Sequence, residues 1–175
     1  MQMKKILFVI AKEGFRDEEY FVPKEIFENN EIKVVTASTK KGVASGSLGR
    51  RANVDIAISD VNISEYDALA IAGGPGALKL KNDSSMFKLI KDAAAMGKIL
   101  AAICIAPVIL AEAGVLFGKK ASVWNSDEKP AEILKKHGAF YTGMPNTTDK
   151  NIITANGPLA AKKFGIDIVN KLKEQ

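Results

Sequence analysis

The sequence predicts an α/β fold: a three-layer sandwich in which helices cover both faces of a mostly parallel, doubly wound (flavodoxin-like) sheet. Two observations predict it. Short runs of β-branched and other apolar residues alternate along the chain with segments of helical periodicity. These runs are apolar at nearly every position, which is typical of strands that are buried on both faces. Because the 175 residues contain no repeat, low-complexity tract or linker, residues 1–175 are expected to form a single domain.

The predicted elements follow this alternation in order. The segments predicted as strands are 4–10, 32–38, 67–77 (ending in glycines), 98–103, 119–124 and 151–156. The segments predicted as helices are 19–30, 84–98, 106–116, 130–139 and 159–172. Pro23 falls near the first turn of the first helix, and Pro158 opens the last one. Residues 42–58 are rich in glycine and alternate in polarity, as in a β-hairpin laid over the sheet.

Charge and composition exclude several classes of protein. The net charge of +5 comes from lysines that are scattered and interleaved with acidic residues, which indicates a solvated surface and no nucleic-acid partner. One cysteine cannot form an intramolecular disulfide. The apolar run Ile6–Ala11 is too short for a signal peptide, and no segment is long enough to cross a membrane. We therefore expect a cytoplasmic protein with no membrane contact.

The single cysteine, Cys104, lies between a predicted strand and a predicted helix, with Ala102 and Ala106 two residues to either side. This is the small-x-nucleophile-x-small pattern of a nucleophile elbow, where small neighbours leave room for a strained turn. Pro107 suits the first helical turn. The N–H groups at a helix start favour a thiolate, so the pattern predicts a thiol pKa below the ordinary value. A buried, inert cysteine is an equally good interpretation of Cys104 taken alone.

Two other strand ends could bring polar groups to this thiol. The third strand ends at Gly73 and Gly74, whose bare backbone N–H groups, with that of Ile105, could form an oxyanion hole. A plain tight turn is the alternative, and the spacing does not match a phosphate-binding loop. The first strand is followed by an acidic cluster in which Glu19, four residues before Pro23, could turn inward. Capping and solvation account for the other two members of the cluster, Asp17 and Glu18.

These residues resemble the ThiJ/PfpI superfamily, which has the class I glutamine-amidotransferase-like fold, and within it the branch of the Parkinson-associated protein deglycase. The resemblance runs almost from end to end, through "ILFVIAKEGFRDEEYFVP", "YDALAIAGGPGA", "ILAAICIAPVILAEAGVL" and "IITANGP". It implies that Cys104 is the reactive residue and that a protonated Glu19 hydrogen-bonds its sulfur. It also implies that Gly73 and Gly74 line the oxyanion site, and that Trp124 and Pro158 line the pocket.

The chain departs from the family pattern in its histidines. Members named as intracellular proteases have a histidine directly after the cysteine, where this chain has Ile105. The deglycase branch has one near the end of the following strand, where this chain has Trp124. The only histidine, His137, falls in the last turn of a predicted helix, where the helix dipole alone explains a basic residue. A Cys–His dyad therefore has no evident base.

The resemblance implies glyoxalase or deglycase chemistry without a cofactor or a metal, on a small-molecule carbonyl substrate such as a 2-oxoaldehyde or its protein adduct. In that hypothesis a protonated Glu19 moves the proton, and the N–H groups of Gly74 and Ile105 hold the oxyanion. The alternatives are a stress-response redox sensor or chaperone that uses the same Cys104, an intracellular peptidase or amidase, and a fold with an inert cysteine. A homodimer or a larger homo-oligomer is expected from the resemblance.

Overall fold

The computed structural model describes residues 3–175. Its strands are β1 (Lys5–Val9), β2 (Glu13–Phe15), β3 (Lys33–Ser38), β4 (Gly42–Gly46), β5 (Arg51–Val54), β6 (Ile56–Ala57), β7 (Ala68–Ile71), β8 (Ile99–Ile103), β9 (Lys120–Ala121), β10 (Phe140–Tyr141), β11 (Asn146–Asp149) and β12 (Ile152–Ala155). Its α-helices are α1 (Asp17–Asn29), α2 (Ser84–Ala95), α3 (Pro107–Glu112), α4 (Lys129–Lys136) and α5 (Ala161–Lys173).

The central sheet has the order β11-β12-β8-β7-β1-β3-β6. All neighbours are parallel except β11, which runs antiparallel to β12 at one edge. The five long parallel strands, β1, β3, β7, β8 and β12, follow the spatial order 2-1-3-4-5, which is the flavodoxin-like form of a doubly wound sheet. The predicted fold class is thus confirmed.

Alternate side chains of the central strands supply two hydrophobic cores. Leu7 and Val9 of β1 face the layer formed by α2, α3 and α4, whereas Ile6 and Phe8 face α1 and α5. Successive strand residues point to opposite faces, so a strand buried on both faces must be apolar throughout. This is why the apolar runs of the sequence predicted the sheet correctly.

Several predicted elements differ from the structure. In the segment 119–124 only β9 is a strand, and it pairs with β10 outside the central sheet. Past it, the Ser122 N–H donates to the Thr154 hydroxyl and the Trp124 N–H to the Cys104 carbonyl, so no ladder continues. The edge strand β11 was not predicted because its sequence, Asn-Thr-Thr-Asp, has no apolar alternation.

The helix starts also differ from the prediction. α1 begins at Asp17, so the acidic cluster forms its first turn and Pro23 lies in the second. Pro158 opens a single 3₁₀ turn, Pro158–Ala160, and α5 follows it. The predicted hairpin is present as β4 and β5. β4 also pairs with β2, which gives a small separate sheet, while β6 joins the edge of the central sheet. Among residues 3–175, no helix has the length and apolar character needed to cross a bilayer.

Candidate active site

The candidate site lies at the carboxyl edge of the central sheet, where the strand order reverses between β1 and β7. Ligand sites of doubly wound folds form at this switch point, because the loops after the two strands diverge there. Three connections meet at it: the segment after β1 that leads into α1, the glycine segment after β7, and the turn after β8 that holds Cys104.

Cys104 has a backbone φ of 64°, in the left-handed region that non-glycine residues rarely adopt. The strain is held by hydrogen bonds on both sides of the residue. Its N–H donates to the Ala155 carbonyl (2.8 Å), and its carbonyl accepts from the Trp124 N–H (2.8 Å). The helix α3 starts three residues later at Pro107. The predicted strained turn between strand and helix is therefore confirmed.

Two backbone N–H groups are directed at the Cys104 sulfur. They belong to Gly74, after β7, and to Ile105, the next residue of the turn. Both stabilise the thiolate by hydrogen bonding and therefore oppose the rise in the thiol's pKa. A carbonyl oxygen that became an oxyanion next to the sulfur would lie close to the same donors.

The carboxyl group of Glu19 lies beside this thiol, inside the protein. Glu19 is 0% exposed although it belongs to the first turn of α1, because the start of α1 packs beneath the glycine segment. Its Oε2 accepts the Gly73 N–H (2.9 Å). Among the described residues its other oxygen, Oε1, is buried and has no well-formed hydrogen-bond partner. Burial raises the pKa of Glu19 to about 7, although the nearby Cys104 thiol and the Gly73 N–H oppose the rise.

Burial, and after it the Glu19 charge, raise the pKa of the Cys104 thiol to about 12. The expectation that the helix start would lower this pKa is therefore wrong. The N–H groups of Gly74 and Ile105 lower this pKa, but each by less than burial raises it. Between pH 7 and 12 the pair holds one negative charge and one proton, which Oε1 or the sulfur can carry.

Gly73 and Gly74 have different places in the site. The N–H of Gly73 is occupied by Glu19, so Gly73 holds the carboxyl group and is not available as an oxyanion donor, contrary to its predicted role. A Cβ at Gly73 would lie 2.5 Å from the Cys104 Cβ and 2.6 Å from Glu19 Oε2. Gly74 has a φ of 109°, and a Cβ there would meet the backbone of Arg16 and Gly14. Only glycine allows the three segments to approach this closely.

The thiol opens into a pocket of about 390 Å³. Its lining residues are Arg16, Glu19, Gly74, Pro75, Leu78, Cys104, Ile105, Trp124 and Pro158. The structure places Trp124 and Pro158 at the pocket, and Trp124 is 41% exposed. His137 ends α4 and is not among the lining residues, in agreement with its predicted place at a helix end.

Sequence reasoning missed Arg16, which lines the pocket and whose N–H donates to the Gly73 carbonyl (2.9 Å). Its position between a short strand and an acidic cluster gave no signal. Asp17 was also misinterpreted. It is 3% exposed and accepts the N–H groups of Leu48 (2.9 Å) and Arg50 (2.8 Å), so it fixes the β4–β5 turn and is not a solvated cap.

A buried carboxyl group, a thiol on a strained turn and two backbone donors define a class of protein: α/β proteins with a cysteine nucleophile elbow. Across residues 3–175, no group of three or more histidine, cysteine, aspartate or glutamate side chains could hold a metal ion. The thiol and the carboxyl group together can add sulfur to an electrophile and move the proton.

The profile of the DJ-1/PfpI family matches residues 4–171, and the chain belongs to this family. The protein MJ0967 of Methanocaldococcus jannaschii is 42% identical over 175 residues, covering 99% of this chain and 85% of that protein. Deglycase PfpI of Pyrococcus furiosus is 36% identical over 118 residues, covering 67% of this chain and 70% of the relative. The crystal structure of a ThiJ/PfpI domain protein from Brachyspira murdochii, 33% identical, superposes with a TM-score of 0.94 over 100% of this chain and 99% of the other.

Proposed function

We propose that the protein is a cofactor-independent enzyme acting on small 2-oxoaldehydes, or on their adducts with proteins, through Cys104. The observation that carries the proposal is the buried Glu19 carboxyl group, with a pKa of about 7 and an unpartnered Oε1, beside the thiol. Such a group accepts and returns protons near neutral pH, which is what a general acid–base must do. The relative from Pyrococcus furiosus named as a deglycase supports the same substrate class.

The addition step uses groups already in contact. The Cys104 sulfur forms a bond to the aldehyde carbon while the C=O π bond breaks, and the thiol proton passes to the Glu19 carboxylate. The resulting alkoxide accepts hydrogen bonds from the N–H groups of Gly74 and Ile105. Glu19 then returns the proton to that oxygen, which leaves a neutral hemithioacetal. This order replaces the sequence hypothesis of a resting thiolate, because the thiol is protonated at neutral pH.

The later steps transfer electrons within the substrate. Glu19 removes the proton from the former aldehyde carbon and delivers it to the neighbouring ketone carbon. In the same steps the hydroxyl group on the first carbon loses its proton, and the ketone oxygen gains a proton. The first carbon is thereby oxidised to a thioester and the second is reduced to an alcohol. Water hydrolyses the thioester, which releases the thiol and a 2-hydroxy acid. No external oxidant or reductant is needed.

Turnover of methylglyoxal to lactate tests the proposal. We expect turnover by the wild-type protein, none by Cys104→Ser, and none by Glu19→Gln, whose thiol stays open to alkylation. Alkylation is the control that separates lost chemistry from a collapsed site. If Glu19→Gln turns over at the wild-type rate, Glu19 is not the acid–base group and the proposal fails.

The redox-sensor alternative predicts rapid oxidation of Cys104 by peroxide. Oxidation by peroxide starts from the thiolate, and burial raises the pKa of this thiol, which makes the thiolate scarcer. The peptidase alternative still lacks a histidine at the pocket.

The homodimer also remains a proposal. Leu159, next to the pocket residue Pro158, is fully exposed and would be covered by a second copy, and light scattering tests this.

A further inference from the structure

Arg16 carries the only positive charge among the residues that line the pocket, all of which lie in the described part of the chain. Most of the remaining lining is apolar, with Leu78, Ile105 and Trp124 among its members. A neutral substrate would satisfy these apolar walls but would leave the N–H groups of Arg16 that Glu18 does not bind without an acceptor. We propose that the pocket selects carbonyl substrates with an anionic group, and that Arg16 binds that group; the enzymatic part rests on the proposed function.

The contacts of Arg16 leave it free to bind an anion. Its Nε donates to Glu18 Oε2 (2.8 Å) and its Nη2 to Glu18 Oε1 (3.2 Å). The remaining N–H groups of the guanidinium have no acceptor among residues 3–175. The two-point contact with Glu18 fixes the plane of the guanidinium, and a guanidinium held in this way presents its free edge to a carboxylate or phosphate with little loss of side-chain entropy.

The charges around the thiol also support binding of an anion by Arg16. Ionised Glu19 repels an anionic substrate that approaches Cys104, and an apolar wall does nothing to offset that repulsion. Arg16 is close enough to oppose, through its charge, the rise that burial produces in the pKa of Glu19. The same charge offsets the repulsion of an anion. Glu18 opposes this effect of the Arg16 charge, and the two side chains are similarly exposed, 35% for Arg16 and 39% for Glu18. Arg16 therefore acts on an anion through the N–H groups that Glu18 does not occupy.

Alkylation of Cys104 tests the inference without any turnover. Iodoacetate and iodoacetamide differ mainly in charge, so the ratio of their rates, divided by the same ratio for 2-mercaptoethanol, measures the preference of the pocket for an anion. We expect Arg16→Gln to lower this ratio about tenfold at low salt, the order of one charge-assisted hydrogen bond on a partly exposed group. Added salt should lower the wild-type ratio toward that of the variant.

Arg51→Gln is the matched control, because it removes an equal charge from an exposed position outside the pocket. Its ratio should equal that of the wild-type protein. If Arg16→Gln leaves the ratio unchanged, the inference is overturned. If Arg51→Gln lowers it equally, the preference comes from net charge and the inference is also overturned.

Two substrates extend the test to catalysis. 4,5-Dioxopentanoate and 2-oxopentanal share a five-carbon 2-oxoaldehyde skeleton and differ by a terminal carboxylate. We expect Arg16→Gln to raise KM about tenfold for the first compound and less than about twofold for the second. Equal effects on both would overturn the inference and leave the proposed function standing. If neither compound is turned over but the alkylation ratio still depends on Arg16, the proposed function fails and the anion site stands.

Discussion

The coupling of Glu19 and Cys104 predicts that Glu19→Gln makes the thiol more reactive above pH 7. In the wild-type protein the pKa of Glu19 is about 7 and that of the thiol about 12, so carboxylate with thiol is the main form between these values. A minor form has the proton on Glu19 and the charge on sulfur. The two forms contain the same number of protons, so their ratio does not change with pH. The reactive thiolate therefore reaches a plateau once Glu19 has titrated.

The magnitude follows from the same pKa of Glu19. In Glu19→Gln a neutral amide replaces the carboxylate, and the thiolate fraction goes on rising tenfold per pH unit until the thiol itself titrates. The wild-type thiolate fraction stops rising once Glu19 ionises, at about pH 7. Its plateau value therefore equals the thiolate fraction that the variant has near pH 7. We therefore expect similar rates near pH 7, and a variant faster by about tenfold at pH 8 and about a hundredfold at pH 9.

The assay is the rate of alkylation by iodoacetamide, which is neutral, between pH 6 and 10, with intact mass to confirm a single modified residue. Glu25→Gln is the control, since it makes the same chemical change at an exposed position of α1, and Glu25 is not among the charges that act on Glu19. That variant should keep the wild-type plateau. Parallel profiles for wild type and Glu19→Gln, or a wild-type rate that rises through an ordinary thiol pKa of about 8.5, would refute the coupling.

Three further predictions follow from the structure. Because the pKa of Glu19 is raised to about 7 from its ordinary 4.5, the folded protein binds this proton more tightly and loses stability as pH rises between these values. Urea titrations measure the difference in unfolding free energy between Glu19→Gln and the wild type. This difference should shift by about 3 kcal/mol in favour of the variant between pH 4 and 8, and a constant difference would contradict the prediction. Gly73→Ala should cost about 1–3 kcal/mol and slow Cys104 alkylation, whereas Gly143→Ala, where a Cβ meets open space, should leave alkylation unchanged. His137→Ala should also leave Cys104 alkylation unchanged, and a large loss would place the histidine at the site.

The fold was predictable because its signal is repeated along the chain. Five buried parallel strands each need an apolar run, and each connection shows its own helix or turn signal. The short strands β10 and β11 gave no such signal. β10 is two residues long, and β11 is a polar edge strand that is defined by its neighbour β12. Elements of this kind are set by tertiary contacts, which a single sequence does not display.

The sequence predicted the thiol and the carboxyl group of the site, but neither Arg16 nor the direction of the thiol's pKa shift. Cys104 could be placed by its small neighbours, and Glu19 by its distance from Pro23. The direction of the thiol's pKa shift could not be predicted. It depends on whether burial raises the pKa by more than the two backbone N–H donors lower it. Arg16 is a similar case. Its backbone N–H donates to the Gly73 carbonyl at the pocket, and that contact joins residues far apart in the sequence.

One charge and one mobile proton, shared by Glu19 and Cys104, suit some reactions better than others. A redox sensor needs a standing thiolate, and the thiol's pKa of about 12 keeps that form scarce at neutral pH. Addition to a carbonyl needs the thiolate only while the bond forms, and Glu19 can take the thiol proton at that moment. The same carboxyl must then give the proton up, which a group with a pKa of about 7 does readily. The raised thiol pKa is therefore compatible with an enzyme whose base lies beside its nucleophile.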